Sequence, residues 1–234
     1  QYNEKTLWSG GPQPDSTDYN GGNYQDRYKV LAEIRKALEQ GNRQKAKQLA
    51  EENLVGPNNA QYGRYLSFGD IFMVFNNQKK GLENVTDYHR DLDITEAITT
   101  TSYSQDGTNF KRETFSSYPD DVTVTHLSKK GDKTLDFTLW NSLTEDLLAN
   151  GDYSWEYSKY KQGAVTTDSN GILLKGTVKD NGLQFASYLG IKTDGQVTAQ
   201  DGYLTVTGAS YATLLLSAKT NYAQNPKTNY RKDI

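Results

Sequence analysis

Asp91 and Asp93 are spaced so that their side chains could do chemistry together. Hydrolysis of a glycosidic bond usually needs two carboxyl groups, and alternate residues of a β-strand project from the same face. The structural alternative is that both lie at a strand end, where they pair with Arg90 or cap turn amides. We favour that alternative, because charged residues at strand ends are usually solvated. Asp120 and Asp121 follow Pro119 and are interpreted in the same way, as a turn.

His89 and His126 are the only histidines in the chain, and with Glu113 they could form the general acid–base set of a sugar mutarotase. Such a site needs a convergent pocket, and Arg90 beside His89 disfavours a charged imidazole there. We therefore expect no mutarotase activity. Two distant histidines are too few for a zinc site, cysteine is absent, and no spaced acidic calcium loop occurs. The sequence predicts no metal and no cofactor.

Three tryptophans could stack on a sugar ring or fill an interface. Trp8 precedes Ser-Gly-Gly-Pro and is expected to be a buried aromatic that anchors a rigid turn. Trp140 belongs to a run with Leu135, Phe137 and Leu139, which places it in the core or at a domain interface. Trp155 is the better candidate for a surface contact with sugar.

The bulk properties exclude several classes of partner. The 234 residues carry a formal charge of −3 and include no cysteine, so there is no basic footprint for nucleic acid and no disulfide scaffold. No polybasic cluster or apolar run of about 20 residues indicates a membrane. Aromatic residues reach 12%, which is typical of tyrosine-rich β proteins.

The periodicity predicts a helical pair followed by many strands. Apolar residues recur at helical spacing over about 27–55, with Gly41 as a stop and Asn42 as a cap. After Tyr65 the period becomes two, and dipeptides such as Asp106-Gly107 and Asp201-Gly202 mark hairpin turns. About a dozen strands with this spacing predict a large antiparallel β-sandwich covering 1–234, with a polar tail over 221–234. Residues 143–170 are expected to form a long excursion.

Blocks in one order along the chain resemble the N-terminal domain of the α-L-fucosidases of glycoside hydrolase family 95. They are 3–12 (NEKTLWSGGP), 31–38 (LAEIRKAL), 68–71 (FGDI), 88–93 (YHRDLD) and 110–120 (FKRETFSSYPD). The resemblance implies a super-β-sandwich of the galactose-mutarotase type, followed in the longer protein by an (α/α)6 barrel. It also implies hydrolysis of terminal, typically α-1,2-linked, L-fucose with inversion, by residues of the barrel alone.

On this interpretation the chain is a fragment without catalytic residues, and its partners are the barrel and a fucosylated glycan. Glu4, Trp8 and Trp155 are the candidate contacts with the barrel or with sugar, and the Trp8 loop and helical pair are expected to pack on the barrel. We expect a bacterial protein that is secreted or held at the cell surface, with the cytoplasm as the alternative. Two other functions stay open: another inverting hydrolase or phosphorylase with such a barrel, and a glycan-binding module.

Overall fold

A computed structural model describes residues 1–10, 26–54, 63–76, 84–144 and 160–222. The chain divides into two compact units. The smaller unit is Trp8–Arg64, and the larger combines Gln1–Leu7 with Tyr65–Ile234. The helices belong to the smaller unit and all the strands named below to the larger one.

The smaller unit contains the predicted helical pair. A 3-10 turn at Arg27–Val30 leads into α1 (Leu31–Glu39), and α2 follows at Arg43–Asn53. The Asn42 side chain accepts a hydrogen bond of 3.0 Å from the amide of Lys45, which satisfies one of the free amides at the start of α2. Gly41 has a φ of 73°, a value that favours glycine at a helix end. The predicted stop and cap are therefore confirmed.

Small residues, not the leucines, form the buried part of this pair. Ala37 and Ala46 are buried, whereas Tyr28, Leu38 and Leu54 are exposed. Part of the apolar face that the periodicity marks is thus exposed, while Ile34 and Leu49 of the same face are half-buried.

The described part of the larger unit contains twelve strands in two antiparallel sheets. The small sheet has the order β1-β6-β11-β10, and the large sheet has the order β2-β3-β4-β5-β12-β9-β8-β7. The prediction of an all-β antiparallel sandwich is confirmed. The strands are β1 Ile71–Phe75, β2 Val85–Asp93, β3 Ile98–Gln105, β4 Thr108–Ser117, β5 Val122–Lys130, β6 Leu135–Asn141, β7 Lys161–Asp168, β8 Gly171–Val178, β9 Gln184–Thr193, β10 Gln196–Gln200, β11 Tyr203–Ala209 and β12 Tyr211–Thr220.

The hairpin turns lie where the dipeptides predict them. Asp106 and Gly107 join β3 to β4 with φ values of 49° and 78°. Positive φ at both central residues is the geometry of a type I′ turn, whose twist matches that of the flanking strands. Asp201-Gly202 joins β10 to β11 in the same way, with φ values of 49° and 83°.

The core lies between the sheets, and β6 shows how the alternation builds it. Leu135, Phe137 and Leu139 are buried in the main apolar cluster. Trp140 has the opposite parity, so it projects from the outer face of the small sheet. Its ring stacks on Phe72 with centroids 5.3 Å apart and lies tilted against Tyr203 at 5.6 Å. Of the two places expected for Trp140, the core is therefore excluded, and the domain interface stays a prediction. Its indole N–H is buried with no hydrogen-bond partner among the residues described.

The small sheet covers only part of the large one. Strands β5, β12, β9 and β8 contribute buried side chains to the main cluster. By contrast, every residue of β2 after Val85 is exposed. The large sheet therefore extends past its partner at the β2 edge.

Tyr2 ties the start of the chain to the larger unit. It forms an antiparallel bridge with Gly69, and its ring lies 5.6 Å from that of Phe68. Its hydroxyl is 2.7 Å from Ser187 Oγ and accepts a hydrogen bond of 2.8 Å from Asn141 Nδ2. Burial raises the pKa of Tyr2 to about 12.

We expect Tyr2→Phe to flatten the alkaline loss of stability. Below the unfolded-state pKa of about 10, the Tyr2 hydroxyl keeps its proton in both the folded and the unfolded state, so its contribution to the free energy of unfolding is fully present. As the pH rises from 10 towards 12, only the unfolded state ionises, which costs roughly 1.4 kcal/mol per pH unit. The variant lacks this slope and is about 1–2 kcal/mol less stable at pH 7, because the Asn141 amide loses its acceptor. Urea unfolding at pH 7, 9.5 and 11.5 measures both effects, and equal alkaline slopes would contradict the prediction.

Candidate functional site

The uncovered part of the large sheet presents a cationic and apolar surface on the side that faces the core. The register places Arg90 opposite Thr101, Thr101 opposite Arg112, and Arg112 opposite the buried Leu127. Directly paired residues of antiparallel strands share a face, so both guanidinium groups lie on the core side of the sheet. We call Tyr88, Arg90, Leu92, Thr101 and Arg112 the open face.

Among the described residues, the open face has neither an apolar cover for Tyr88 and Leu92 nor carboxylates for its two arginines. Tyr88 and Leu92 are 59% and 58% exposed. Over the described ranges, neither Arg90 nor Arg112 has a carboxylate within ion-pair distance. Guanidinium groups beside apolar side chains favour a partner that is itself apolar and carries carboxylates, since arginine binds these in a bidentate fork.

A groove of about 270 Å³ lies where the open face meets the core. It is small beside the usual range for a ligand site. Among the described residues that line it there is no aspartate or glutamate, so these residues do not supply the pair of carboxyl groups that glycoside hydrolysis needs. Its lining residues are Met73, Phe75, Val85, Tyr88, Thr101, Tyr103, Phe110, Lys111, Arg112, Leu127 and Leu135.

The structure brings Glu113 and His126 together but not His89. Glu113 and His126 are directly opposed on the outer face of the large sheet, and His126 Nδ1 is 2.9 Å from Thr213 Oγ1. The Glu113 carboxylate accepts a hydrogen bond of 2.7 Å from Lys111 Nζ. His89 lies on the edge strand β2, opposite Ser102. The three groups do not converge on one reacting centre.

Asp93 has a structural role, whereas none is found for Asp91 among the described residues. Asp93 Oδ1 accepts hydrogen bonds from the amides of Thr95 and Glu96 at 2.8 and 3.1 Å, so it caps the turn after β2. Asp91 shares its face but makes no ion pair within the described ranges.

The turn between β4 and β5 holds the second acidic pair. Asp120 accepts a hydrogen bond from the Ser117 hydroxyl, and Asp121 lies 3.1 Å from Lys219 Nζ. The interpretation of these residues as turn formers is confirmed. Among the described residues no three histidine, aspartate or glutamate side chains cluster as a metal site would require.

Comparison with known proteins agrees with these features. Residues 1–225 match the family described as glycosyl hydrolase family 65, N-terminal domain. The chain belongs to this family. The match bears the number 65, so membership of family 95 stays a prediction, whereas the assignment as the N-terminal domain of a glycosyl hydrolase is confirmed.

Relatives of this glycosyl hydrolase domain carry fucosidase names. "Alpha-L-fucosidase 2" of Arabidopsis thaliana is 26% identical over 94% of the chain and 26% of its own length. "Probable alpha-fucosidase A" of Aspergillus niger is 32% identical over 61% of the chain and 17% of its own length. Its counterpart in Aspergillus oryzae is 22% identical over 94% of the chain and 28% of its own length. The matches thus span between 17% and 28% of the length of these relatives.

Trp8 and Glu4 of the glycosyl hydrolase domain differ from each other in their surroundings. Trp8 is 46% exposed, so the expectation that it is buried is wrong, and the fully buried neighbour is Leu7. The Glu4 carboxylate accepts a hydrogen bond of 2.8 Å from the Thr6 amide and one from the Thr6 hydroxyl, which stabilises the local turn. The role of both residues as interface or sugar contacts stays a prediction. Trp155 lies outside the described residues.

Reasoning from the sequence missed the open face as a site. Tyr88, Arg90 and Leu92 alternate with polar residues, so one face of β2 was readable as cationic and apolar. The contribution of Arg112 could not be predicted from the sequence, because it depends on how β3 and β4 pair.

No helix of the described part is long and apolar enough to span a bilayer.

Proposed function

We propose that this glycosyl hydrolase domain is the non-catalytic N-terminal part of an α-L-fucosidase that removes terminal L-fucose from glycans. The open face is the observation that carries this proposal, because its exposed apolar side chains and its two arginines are suited to contact with another domain. The fucosidase names of the relatives support the substrate class. The expected linkage is α-1,2 and the expected course is inversion, on the resemblance to family 95.

The partner of the open face is the catalytic domain of the same protein, expected to be an (α/α)6 barrel. The relatives are several times longer than the chain, which leaves room for that domain. Exposed Tyr88 and Leu92 would lose contact with water on docking, and Arg90 and Arg112 would meet carboxylates. The scaffold would thereby hold the barrel in place without taking part in bond cleavage.

In the longer enzyme, we expect the double variant Arg90→Gln/Arg112→Gln to lower stability by about 2–5 kcal/mol, the usual effect of removing one side of a buried ion pair. In the chain alone, the same variant changes the free energy of unfolding by less than about 0.5 kcal/mol, because neither arginine has an ion-pair partner among the described residues. Thermal unfolding of both proteins measures the difference. Fucose release from 2′-fucosyllactose after a heat step reports the consequence for activity.

Lys130→Gln is the control. It removes an exposed positive charge from β5, on the face of the large sheet opposite to Arg112 and away from the residues that line the groove. It should leave the stability of the longer enzyme unchanged. Equal effects of the control and the double variant would contradict docking at the open face.

Further measurements separate the alternatives. Fucoside hydrolysis by the purified chain would overturn the non-catalytic assignment, and phosphate-dependent cleavage by the longer enzyme would favour the phosphorylase alternative.

Trp8→Ala in the longer enzyme tests the second expected contact with the barrel. We expect lower stability or slower fucose release, and no change in either would contradict the contact. A location outside a bacterial cell or on its surface is part of the proposal, whereas the relatives come from a plant and two fungi.

A further inference from the structure

The Tyr188 ring lies flat on the outer face of the large sheet, over two glycines. Gly171 and Gly190 are directly paired across β8 and β9. A Cβ atom on Gly171 would be 2.8 Å from Cζ and Oη of Tyr188, and one on Gly190 would be 3.2 Å from its Cε1. Both glycines are buried although they are on the outer face, while Tyr188 is 42% exposed. One side of the ring therefore covers the backbone and the other faces solvent.

Apolar side chains extend this flat surface across the sheet. Leu215 is paired with Gly190, and Val124 is paired with Leu215. Phe115 is paired with Val124 in turn. Phe115 and Leu215 are 38% and 37% exposed. We call Phe115, Val124, Tyr188 and Leu215 the outer platform.

A row of polar side chains runs beside the outer platform. Glu113, His126, Thr213 and Lys192 are paired in succession, two residues along each strand from the apolar row and on the same face. Two residues along a strand is about 6.5 Å. A molecule resting on the platform therefore has a carboxylate, an imidazole, a hydroxyl and an ammonium group at its edge.

A pyranose ring has the matching chemistry, with C–H groups on its faces and hydroxyls around its rim. We propose that the outer platform binds a neutral oligosaccharide, with the Tyr188 ring stacked on a pyranose face and the polar row bonded to hydroxyls. The two glycines support this choice of ligand over a protein surface. They leave a single flat ring with an open face, whereas a protein interface is filled by interlocking side chains.

This inference extends the proposed function, since the parent enzyme acts on the same class of molecule. It does not depend on docking at the open face, because the open face and the outer platform lie on opposite sides of the large sheet. A variant at one surface therefore leaves the other intact. The two proposals can fail separately.

The test is an NMR titration of the chain with 2′-fucosyllactose and with lactose. We expect the Tyr188 ring signals to shift, with a dissociation constant in the millimolar range. Tyr188→Ala should weaken binding about tenfold, which is the loss of one good stacking contact. Tyr188→Phe keeps the ring and should bind within about twofold of the original chain. Tyr118→Ala, the same change at a fully exposed tyrosine in the turn after β4, is the control and should have no effect on binding.

Gly190→Ala gives a finer test of the flat ring. Its Cβ would press on Tyr188 Cε1 at 3.2 Å and meet nothing else closer than 3.8 Å, so the ring must tilt while the backbone stays in place. We expect binding to weaken about threefold with the fold preserved, since part of the stacking contact is lost. Unchanged chemical shifts at about 50 mM of either sugar would overturn the proposal, because the Kd would then lie well above the millimolar value expected of a specific contact. Equal affinity of Tyr188→Ala, or binding by the chain that is lost in the longer enzyme, would overturn it as well.

Discussion

Phe137→Ala will lower the free energy of unfolding by about 3–5 kcal/mol, the usual range for removing a buried phenylalanine. Phe137 is fully buried, belongs to the main apolar cluster, and has its ring 5.7 Å from that of Phe75. The residual cavity would lie between the two sheets, where β6 is hydrogen-bonded on both sides and cannot collapse into the space. Urea unfolding followed by tryptophan fluorescence gives the value.

Phe115→Ala is the control for this measurement. The same side chain is removed, but from the outer face, where Phe115 is 38% exposed. Its loss should cost about 1 kcal/mol, because part of the ring is already in water. Similar costs for the two variants would mean that the inner and outer faces of the sandwich are assigned wrongly.

Gly176→Ala has the second largest effect expected of a single substitution in this chain, about 3 kcal/mol, from overpacking. A Cβ atom there would lie 2.4 Å from Cζ of Phe185 and 2.5 Å from the carbonyl oxygen of Gln162. Phe185 is buried and packs edge-on against Phe68 with centroids 5.6 Å apart, so it has no free space to move into. The clash must be relieved by separating β7 from β8.

The same substitution at Gly190 is the comparison that isolates the cause. It meets only the edge of an exposed ring, so its effect on stability should stay below about 1 kcal/mol. Thermal unfolding of the two variants side by side measures the contrast. A Gly176→Ala protein as stable as the original chain would show that β7 and β8 are not packed as described.

The large sheet thus carries a distinct surface on each face. The open face is cationic and apolar, and it matches a protein partner with carboxylates. The outer platform is a flat ring beside a polar row, and it matches a sugar. A domain of this design could position a catalytic partner on one side and hold a glycan on the other.

Local features of the chain were predictable because local interactions determine them. The Asn42 cap, the Asp106-Gly107 turn and the capping role of Asp93 each depend on residues a few positions apart. The strand limits near 86–94, 108–117 and 133–141 likewise follow from alternation within single segments. These elements agree with the structure to within a few residues.

Trp140 and Trp8 show where such reasoning failed. The alternation of Leu135, Phe137 and Leu139 marks the core face of β6, and Trp140 has the opposite parity. The large apolar ring of Trp140 favours the core, but its position in the strand directs it to the outer face. At the first motif, the buried anchor is Leu7 and not its larger neighbour. In both cases residue type was given more weight than the geometry of the strand.

The sequence by itself determined the class of fold, the helical pair and the turns, since periodicity and turn chemistry are properties of short segments. Only the tertiary structure decided which strands pair, that the small sheet leaves β2 uncovered, and that Tyr188 covers glycines of two different strands. Pairing register is set by contacts between distant segments, and a shift of one residue would send every side chain of a strand to the other face. Both proposed surfaces depend on that register, which no single segment encodes.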